Sequence, residues 1–466
     1  MLSLLIRREL LGHLRSFRFA AASILCFAAV LGSIVLSALS YDAARTERNA
    51  LVAQHHQEVL SYYAWTPLMW GGVRIDKPLN PMSLFTRDPD RGHLTVASVN
   101  AYWEPTFIDA GLQNPLSRLT TTVDLEFIAV AVLSLLAIVF SYDAVCGERE
   151  QGTLRLALSY SVSRGHFLIG KWIGGFLALA APYLTALVCG SLVLSLGFDF
   201  GLDATAWAGL ALLTMASLLY LLAIFGLGVC VSTFVRPSTT SIVLLLLIWS
   251  MAVIVVPSLA PYAAAHLSPV PSPGQIEKQK QANRRDIETR TLRARDRKPP
   301  SEFDAWLLWA AWSNGVRRDQ FLEQMDMAEN INERFRRDMT RQIDIAMHLS
   351  RISPAASFRL IAAGLSATGP RETDRFWQAL VDYRRQICRF AYDSWAEMAT
   401  NNHKRRLAGL GVQSTYHIDS YPRFDYRYVS LEERLEEALS DILLLCLWCA
   451  LFLIAGYAVF SRGDVT

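Results

Sequence analysis

The chain has 466 residues, 52% of them hydrophobic and only 19% charged, with a formal net charge of +3. Mean hydropathy is positive, at +0.24. These values exclude a disordered chain, are apolar even for a soluble protein, and direct attention to the membrane.

Residues 1–18 read as an amphipathic helix. Leu2, Ile6, Leu10, Leu14 and Phe17 share one face, and Arg7, Arg8, Arg15 and Arg18 gather beside it. This predicts a helix lying at the bilayer surface with its arginines among the headgroups. An uncharged run then opens the first span, 19–40, and its length and lack of a small-x-small site predict a retained helix rather than a cleaved signal. Further apolar runs predict spans at 124–142, 172–198, 206–232, 239–262 and 441–461, each able to cross a core of about 30 Å. The second is short and relies on Asp124 and Glu126 reaching the headgroups. The fold class expected is an all-α polytopic membrane protein with six transmembrane helices and a mainly helical extracytoplasmic domain.

Basic residues fix the expected orientation. Arg7, Arg8, Arg15 and Arg18, then Arg149, Arg155, Arg164 and Lys171, then Arg236 and Arg462, all fall on one side if six spans alternate. The link between spans three and four carries Asp199 and Asp203 and no basic residue. The positive-inside pattern therefore predicts cytoplasmic termini, with 41–123 and 263–440 outside, 143–171 a cytoplasmic link and 462–466 a cytoplasmic tail. No span carries a charge in its interior, so the driving force of any transport is expected outside the membrane domain.

Several candidate chemistries are weak. Cys446 and Cys449 form C-x-x-C within an apolar helix and are expected to pack, and Cys388 alone lies in an outside segment, so no disulfide is expected there. His55 and His56 are adjacent, which on a helix points them about 100° apart and predicts a solvated surface rather than a shared metal. The large outer segment begins with LSPVPSPG and a stretch from Gln275 to Pro300 with nine basic and four acidic residues, read as a solvated helix or arm. Its outside location argues against nucleic acid as a partner. Beyond it, Phe321, Met325, Met327 and Ala328, Ile331, Phe335, Met339, Ile343 and Met347 recur at helical spacing, and a second amphipathic stretch covers 374–400. LEERLEEALSDI is expected to begin a helix that runs into the last span.

GHFLIGKW, residues 165–172, imitates a phosphate-binding loop. The position after its lysine is Trp172, which has no oxygen for Mg²⁺, and the interior is bulky, so nucleotide binding is not expected in this chain. The stretch closes the link SYDAVCGEREQGTLRLALSYSVSRGHFLIGKWIGG, 141–175. There Glu148, Arg149 and Glu150 precede Gly152, and Leu154, Ala157 and Leu158 form a small apolar face suited to docking. Lys171 and Trp172 read as a positive-inside anchor and an interfacial aromatic.

GERE, GTLRLALS, SVSR and GKW resemble the signature of type-2 ABC transporter permeases, with Ser161 where that family usually has proline and Gln151 where a basic residue is common. The six-span plan and the amphipathic first helix extend the resemblance, and RISPAASF, 351–358, resembles a subfamily with a large outer domain between spans five and six whose function is unassigned. The resemblance implies a permease subunit, itself not an enzyme, in a bacterial inner membrane. It would drive transport, and most often export, by pairing with a second permease and with a separate ABC ATPase dimer that holds ATP and Mg. It also implies coupling residues at Glu148, Arg149, Glu150, Gly152, Thr153, Leu154, Leu158 and Arg164. Size and amphipathicity leave room for an extracytoplasmic partner. The alternative is a membrane-anchored envelope scaffold acting through its outer helices.

Overall fold

A computed structural model describes residues 2–62, 65–86, 96–101, 103–108, 123–159, 163–198, 200–295, 303–411 and 421–462. Ser161 and Asp199 lie outside the described residues, as does the side chain of Leu158. Among the described residues six helices are long and apolar enough to cross a membrane, and the fold is that of an all-α polytopic membrane protein.

Helix α1 (Leu2–Leu14) breaks at Ser16, whose hydroxyl accepts the Phe19 N–H and caps α2 (Phe17–Leu60). α2 has 44 residues, roughly 66 Å at 1.5 Å per residue. That is about twice the hydrocarbon thickness, so its C-terminal half stands beyond the bilayer as a strut of the large domain. After α3 (Trp65–Trp70) comes a small antiparallel sheet, β1 (Val73–Asp76), β2 (Val96–Val99) and β3 (Thr106–Ile108), with β2 central. It pairs Val73 with Val99 and Ile75 with Ala97. These four side chains are buried together with Phe376, Leu380, Tyr383 and Ile387, which makes a second core separate from that of the spans.

The second span, α4, runs through Leu125–Phe127, a π-helical turn at Ile128–Leu133, and Ser134–Ser141. Two short helices, α5 (Cys146–Glu150) and α6 (Thr153–Ser159), lead to spans α7 (Arg164–Gly197) and α8 (Ala204–Phe234). The fifth span, α9, comprises Ser238–Ser250, a π-helical turn at Met251–Val255, and Val256–Leu267. The large domain then follows as α10 (Pro273–Arg295), α11 (Phe303–Ser350), α12 (Pro354–Leu365) and α13 (Pro370–Leu407). The sixth span, α14 (Leu431–Arg462), is one unbroken helix from the acidic LEER stretch to the chain's end face.

The charged stretch expected to be a solvated arm is anchored. Lys280 pairs with Glu104 at 2.7 Å, Arg284 stacks over Trp103, and Ile287 is buried. The RISPAASF sequence also departs from a purely outer location, because it ends in α12, which packs within the core of the spans. Ser353 caps α12 by accepting the Ala355 N–H, Pro354 needs no N–H at this first position, and the helix is apolar on nearly every side. Phe358 stacks on Tyr220 of α8 with centroids 5.1 Å apart, and Ile361, Ala362 and Leu365 join the same core.

Polar contacts hold α12 at both ends. The Ser353 hydroxyl donates to the Ala252 carbonyl in the π turn of α9, at 2.6 Å. The Arg351 guanidinium is bidentate on Asp441 of α14, at 2.6 and 2.9 Å, and Asp441 is only 3% exposed. At the far end, Asn80 donates its amide to the Ser366 carbonyl, joining the segment that follows α2 to the end of α12. The second and fifth spans are also linked directly beside their π turns, since Trp249, just before one turn, donates to Ser134, just after the other, at 2.8 Å. A span has no water to satisfy such groups, so each bond fixes one helix against another.

Removing one partner of a buried bidentate pair leaves a charge with no counterpart. Arg351→Leu is expected to lower stability in detergent by about 2–4 kcal/mol. Arg351→Leu with Asp441→Leu is expected to recover much of that loss, as read by thermal unfolding of both variants.

Candidate functional site: the elbow between the second and third spans

The elbow begins where α4 ends. α5 stops at Gln151, and Gly152 adopts φ +73°, a left-handed conformation that glycine takes without strain, before α6 starts at Thr153. The chain thus reverses within a few residues and projects two short helices from the end of the bundle.

The charges of this projection are mostly used within the molecule. Lys171 of α7 is only 10% exposed and lies between two carboxylates, Glu148 at 2.8 Å and Glu9 of α1 at 2.9 Å. Thr153 donates to the same Glu148 carboxylate. Glu150 accepts both the Ser238 N–H at 2.8 Å and the Ser238 hydroxyl at 2.7 Å, so it caps the start of α9 from across the bundle. Arg149 reaches the Val235 carbonyl at 3.4 Å, where α8 ends. Ser232 of α8 accepts the Val145 and Cys146 N–H groups at 3.0 and 3.1 Å, and Ser241 of α9 donates to the Tyr142 carbonyl at 2.7 Å.

The remaining spans meet the same place. Arg18, at the start of α2, pairs with Asp143 at 2.7 Å and lies over the Tyr142 ring. Arg164 donates to the Phe460 and Ser461 carbonyls at 3.0 and 2.6 Å, capping the C-terminus of α14 where unsatisfied carbonyls favour a cation. One end of every span is therefore tied to the elbow or to the start of α7 beside it.

α1 is held in this arrangement by small residues on α7. A Cβ at Gly174 would lie 2.8 Å from the Glu9 Cβ and 3.0 Å from the Ile6 carbonyl oxygen, and one at Gly170 would lie 3.0 Å from the Leu5 Cβ. α1 thus seats Leu5, Ile6 and Glu9 on α7, while Arg7, Arg8, Arg15 and Arg18 are exposed. Phe17, expected on the apolar face, is 87% exposed. Burial alone would raise the Glu9 carboxyl; the hydrogen bond from His13 and the charge of Lys171 outweigh it and hold the group below the ordinary glutamate range.

Several side chains fall elsewhere than their spacing suggests. Leu154 is 2% exposed and packs into the protein's own core, with Ala157 partly buried beside it, so this face is turned inward and does not present itself to a partner. Leu156 is the apolar side chain displayed on α6, at 60% exposure. Lys171 and Trp172 are inside contacts: the Trp172 indole donates to the Leu222 carbonyl at 3.2 Å, against α8. His55 is buried and bonded to Asp76 at 2.8 Å, not solvated. Sequence reasoning passed over Glu9, Asp143, Ser232 and Ser238. Glu9 has a visible signal as the single acid of an otherwise basic helix, whereas the serines carry none.

Six apolar helices whose ends gather on one short polar elbow, with a seated amphipathic helix alongside, define a polytopic membrane protein. The chain belongs to the ABC-2 family transporter proteins, matching that family over residues 4–465. It is similar to the probable ABC transporter permease protein NosY of Stutzerimonas stutzeri, 38% identical over 85 residues, which is 18% of this chain and 31% of that protein. It is also similar to the protein of the same name from Pseudomonas aeruginosa, 42% identical over 64 residues, 14% of this chain and 23% of that one. These local matches cover less than a third of either relative's length. With the family match they identify the membrane subunit of an ABC transporter.

Lys171→Met leaves two carboxylates facing each other and is expected to cost about 2–4 kcal/mol, against about 1 kcal/mol for Glu9→Gln, which keeps the Lys171 to Glu148 pair. Because the Glu9 carboxyl is depressed in the folded protein, its contribution is present above the ordinary glutamate value and is lost as pH falls through the folded value. Thermal unfolding followed from neutral to acid pH is expected to show a shallower acid loss in Glu9→Gln than in the parent.

Proposed function

We propose that this chain is a permease that couples ATP hydrolysis in a separate ATPase dimer to movement of a substrate across a bacterial inner membrane, outward, as one of two permeases. ATP and Mg belong to the ATPase; the elbow α5–α6 seats in a groove of that partner. In this reading both termini and the elbow are cytoplasmic, and the large domain lies on the other side. The outward direction and the paired permeases rest on the resemblance to type-2 permeases.

The observation that carries the reading is the convergence of all six span ends on the elbow and the start of α7 beside it. A displacement of α5–α6 pulls on α9 through Glu150 and Ser238, on α8 through Ser232, on α1 and α7 through Lys171, and on α2 through Asp143. Nucleotide that binds more tightly to one state of the ATPase dimer than to the other would supply the work. The roles expected for the polar residues divide accordingly. Glu148, Arg149, Glu150, Thr153 and Arg164 transmit motion inside the permease, Gly152 sets the turn, and Leu156 replaces Leu154 as the apolar contact with the groove.

The chain, solubilised in detergent from cells that express its partners, is expected to co-purify with an ABC ATPase. Leu156→Asp places a charge in the apolar groove and is expected to weaken that association by roughly thirtyfold, equal to about 2 kcal/mol. Leu156 packs on little else, so the melting temperature should not move. Glu150→Gln is expected to keep the ATPase bound while reducing its stimulation by the permease. Recovery of no ATPase from the parent protein would overturn the assignment.

A further inference from the structure

A cleft of about 430 Å³ opens on the large domain, between the outer half of α2, β1, α13 and the extended segment 421–424. Its volume is within the range of small-molecule sites, about 300–1,000 Å³. Three arginines, Arg48, Arg74 and Arg423, line it against a single lining carboxylate, Asp76. That carboxylate is already engaged: Asp76 and His55 are bonded at 2.8 Å, and each side chain is only 7% exposed. Arg48 is held in place by donating its Nε to the Lys77 carbonyl at 2.9 Å. Arg74 reaches Glu58 only at 3.7 Å, and both are partly exposed. Arg423 is exposed and makes no hydrogen bond or ion pair among the described residues.

The opposite wall is aromatic. Phe424 meets Tyr383 edge to face at 5.4 Å, and Tyr421 is fixed by a 2.9 Å hydrogen bond to His56. We propose that this cleft binds a small soluble anion, a phosphate or carboxylate group carried on a ring or other apolar body. Guanidinium forks match the geometry of such oxyanions, and the aromatic wall takes the apolar part. At 1.5 Å per residue Arg48 and His56 stand roughly 12 and 24 Å along α2 beyond Ser40. The headgroup layer is only about 5–8 Å deep on each side, so the cleft faces solutes rather than lipid.

Purified full-length protein in detergent is titrated with inorganic phosphate and with phenyl phosphate, following intrinsic fluorescence and melting temperature. Both anions are expected to bind, phenyl phosphate more tightly, and each to raise the melting temperature. Arg423→Ala is expected to weaken phenyl phosphate at least tenfold without lowering the melting temperature of the unliganded protein, and Arg423→Lys to restore part of the affinity. Arg341→Ala, in a different charged groove of the same domain, is the control and is expected to leave binding unchanged. Equal affinity in Arg423→Ala and the parent, equal losses in both alanine variants, or binding of neither anion would overturn the proposal. So would an Arg423-dependent attachment to phosphatidylglycerol vesicles with no response to either soluble anion, which would assign the cleft to lipid.

Discussion

The fold of the basic face depends on one buried cation. Lys171 is held between Glu9 and Glu148 at the point where the third span leaves the elbow and where the surface helix crosses it. Taking an ammonium group out of water costs several kcal/mol, and two carboxylates placed beside each other without it would repel. The three groups are acceptable only together, with Thr153 and His13 adding further hydrogen bonds to the acids. The result is a joint that fixes α1, α5 and α7 in one geometry, and from which the hydrogen bonds of Glu150, Ser232 and Arg164 extend to the other spans.

A second joint at the opposite pole has the same character. α12 enters the core of the spans from the large domain, carrying Arg351 to Asp441 of the last span and Ser353 to the π turn of the fifth. π turns in the second and fifth spans leave backbone out of regular register: Ser353 of α12 donates into the turn of the fifth span, and Trp249 and Ser134 join the two spans just beside their turns. The bundle therefore carries a polar lock at each end, Lys171 with Glu9 and Glu148 at one and Arg351 with Asp441 at the other. Between the two joints the spans are held mostly by close packing of aliphatic and aromatic side chains, with a few buried polar bonds such as that of Tyr183 with Ser217 at 2.7 Å.

Much of the plan was legible in one dimension because the bilayer imposes a length. Six uncharged runs became the six helices long enough to cross, and the helical spacing around Met325 and Phe335 became α11. The elbow was legible as a location, from Gly152 and the charges around it, but its contacts were not. Leu154 and Ala157 do form an apolar face, yet periodicity cannot distinguish a face that meets a partner from one that meets the protein's own core. His55 looked solvated because its partner, Asp76, arrives on a strand that only the small sheet places there.

Sequence by itself determined the class of the protein, the number of its apolar helices, and the place of the glycine turn between the second and third spans. These follow from local quantities: hydrophobic run length, helical period, and the conformational freedom of a glycine turn. Tertiary structure decided which charges are joints and which are surface. Lys171 and Glu9 are 162 residues apart, Arg351 and Asp441 90, and Asn80 and Ser366 286. Pairing across such separations depends on how the helices pack, and a residue's type and spacing do not encode the partner that packing will bring to it.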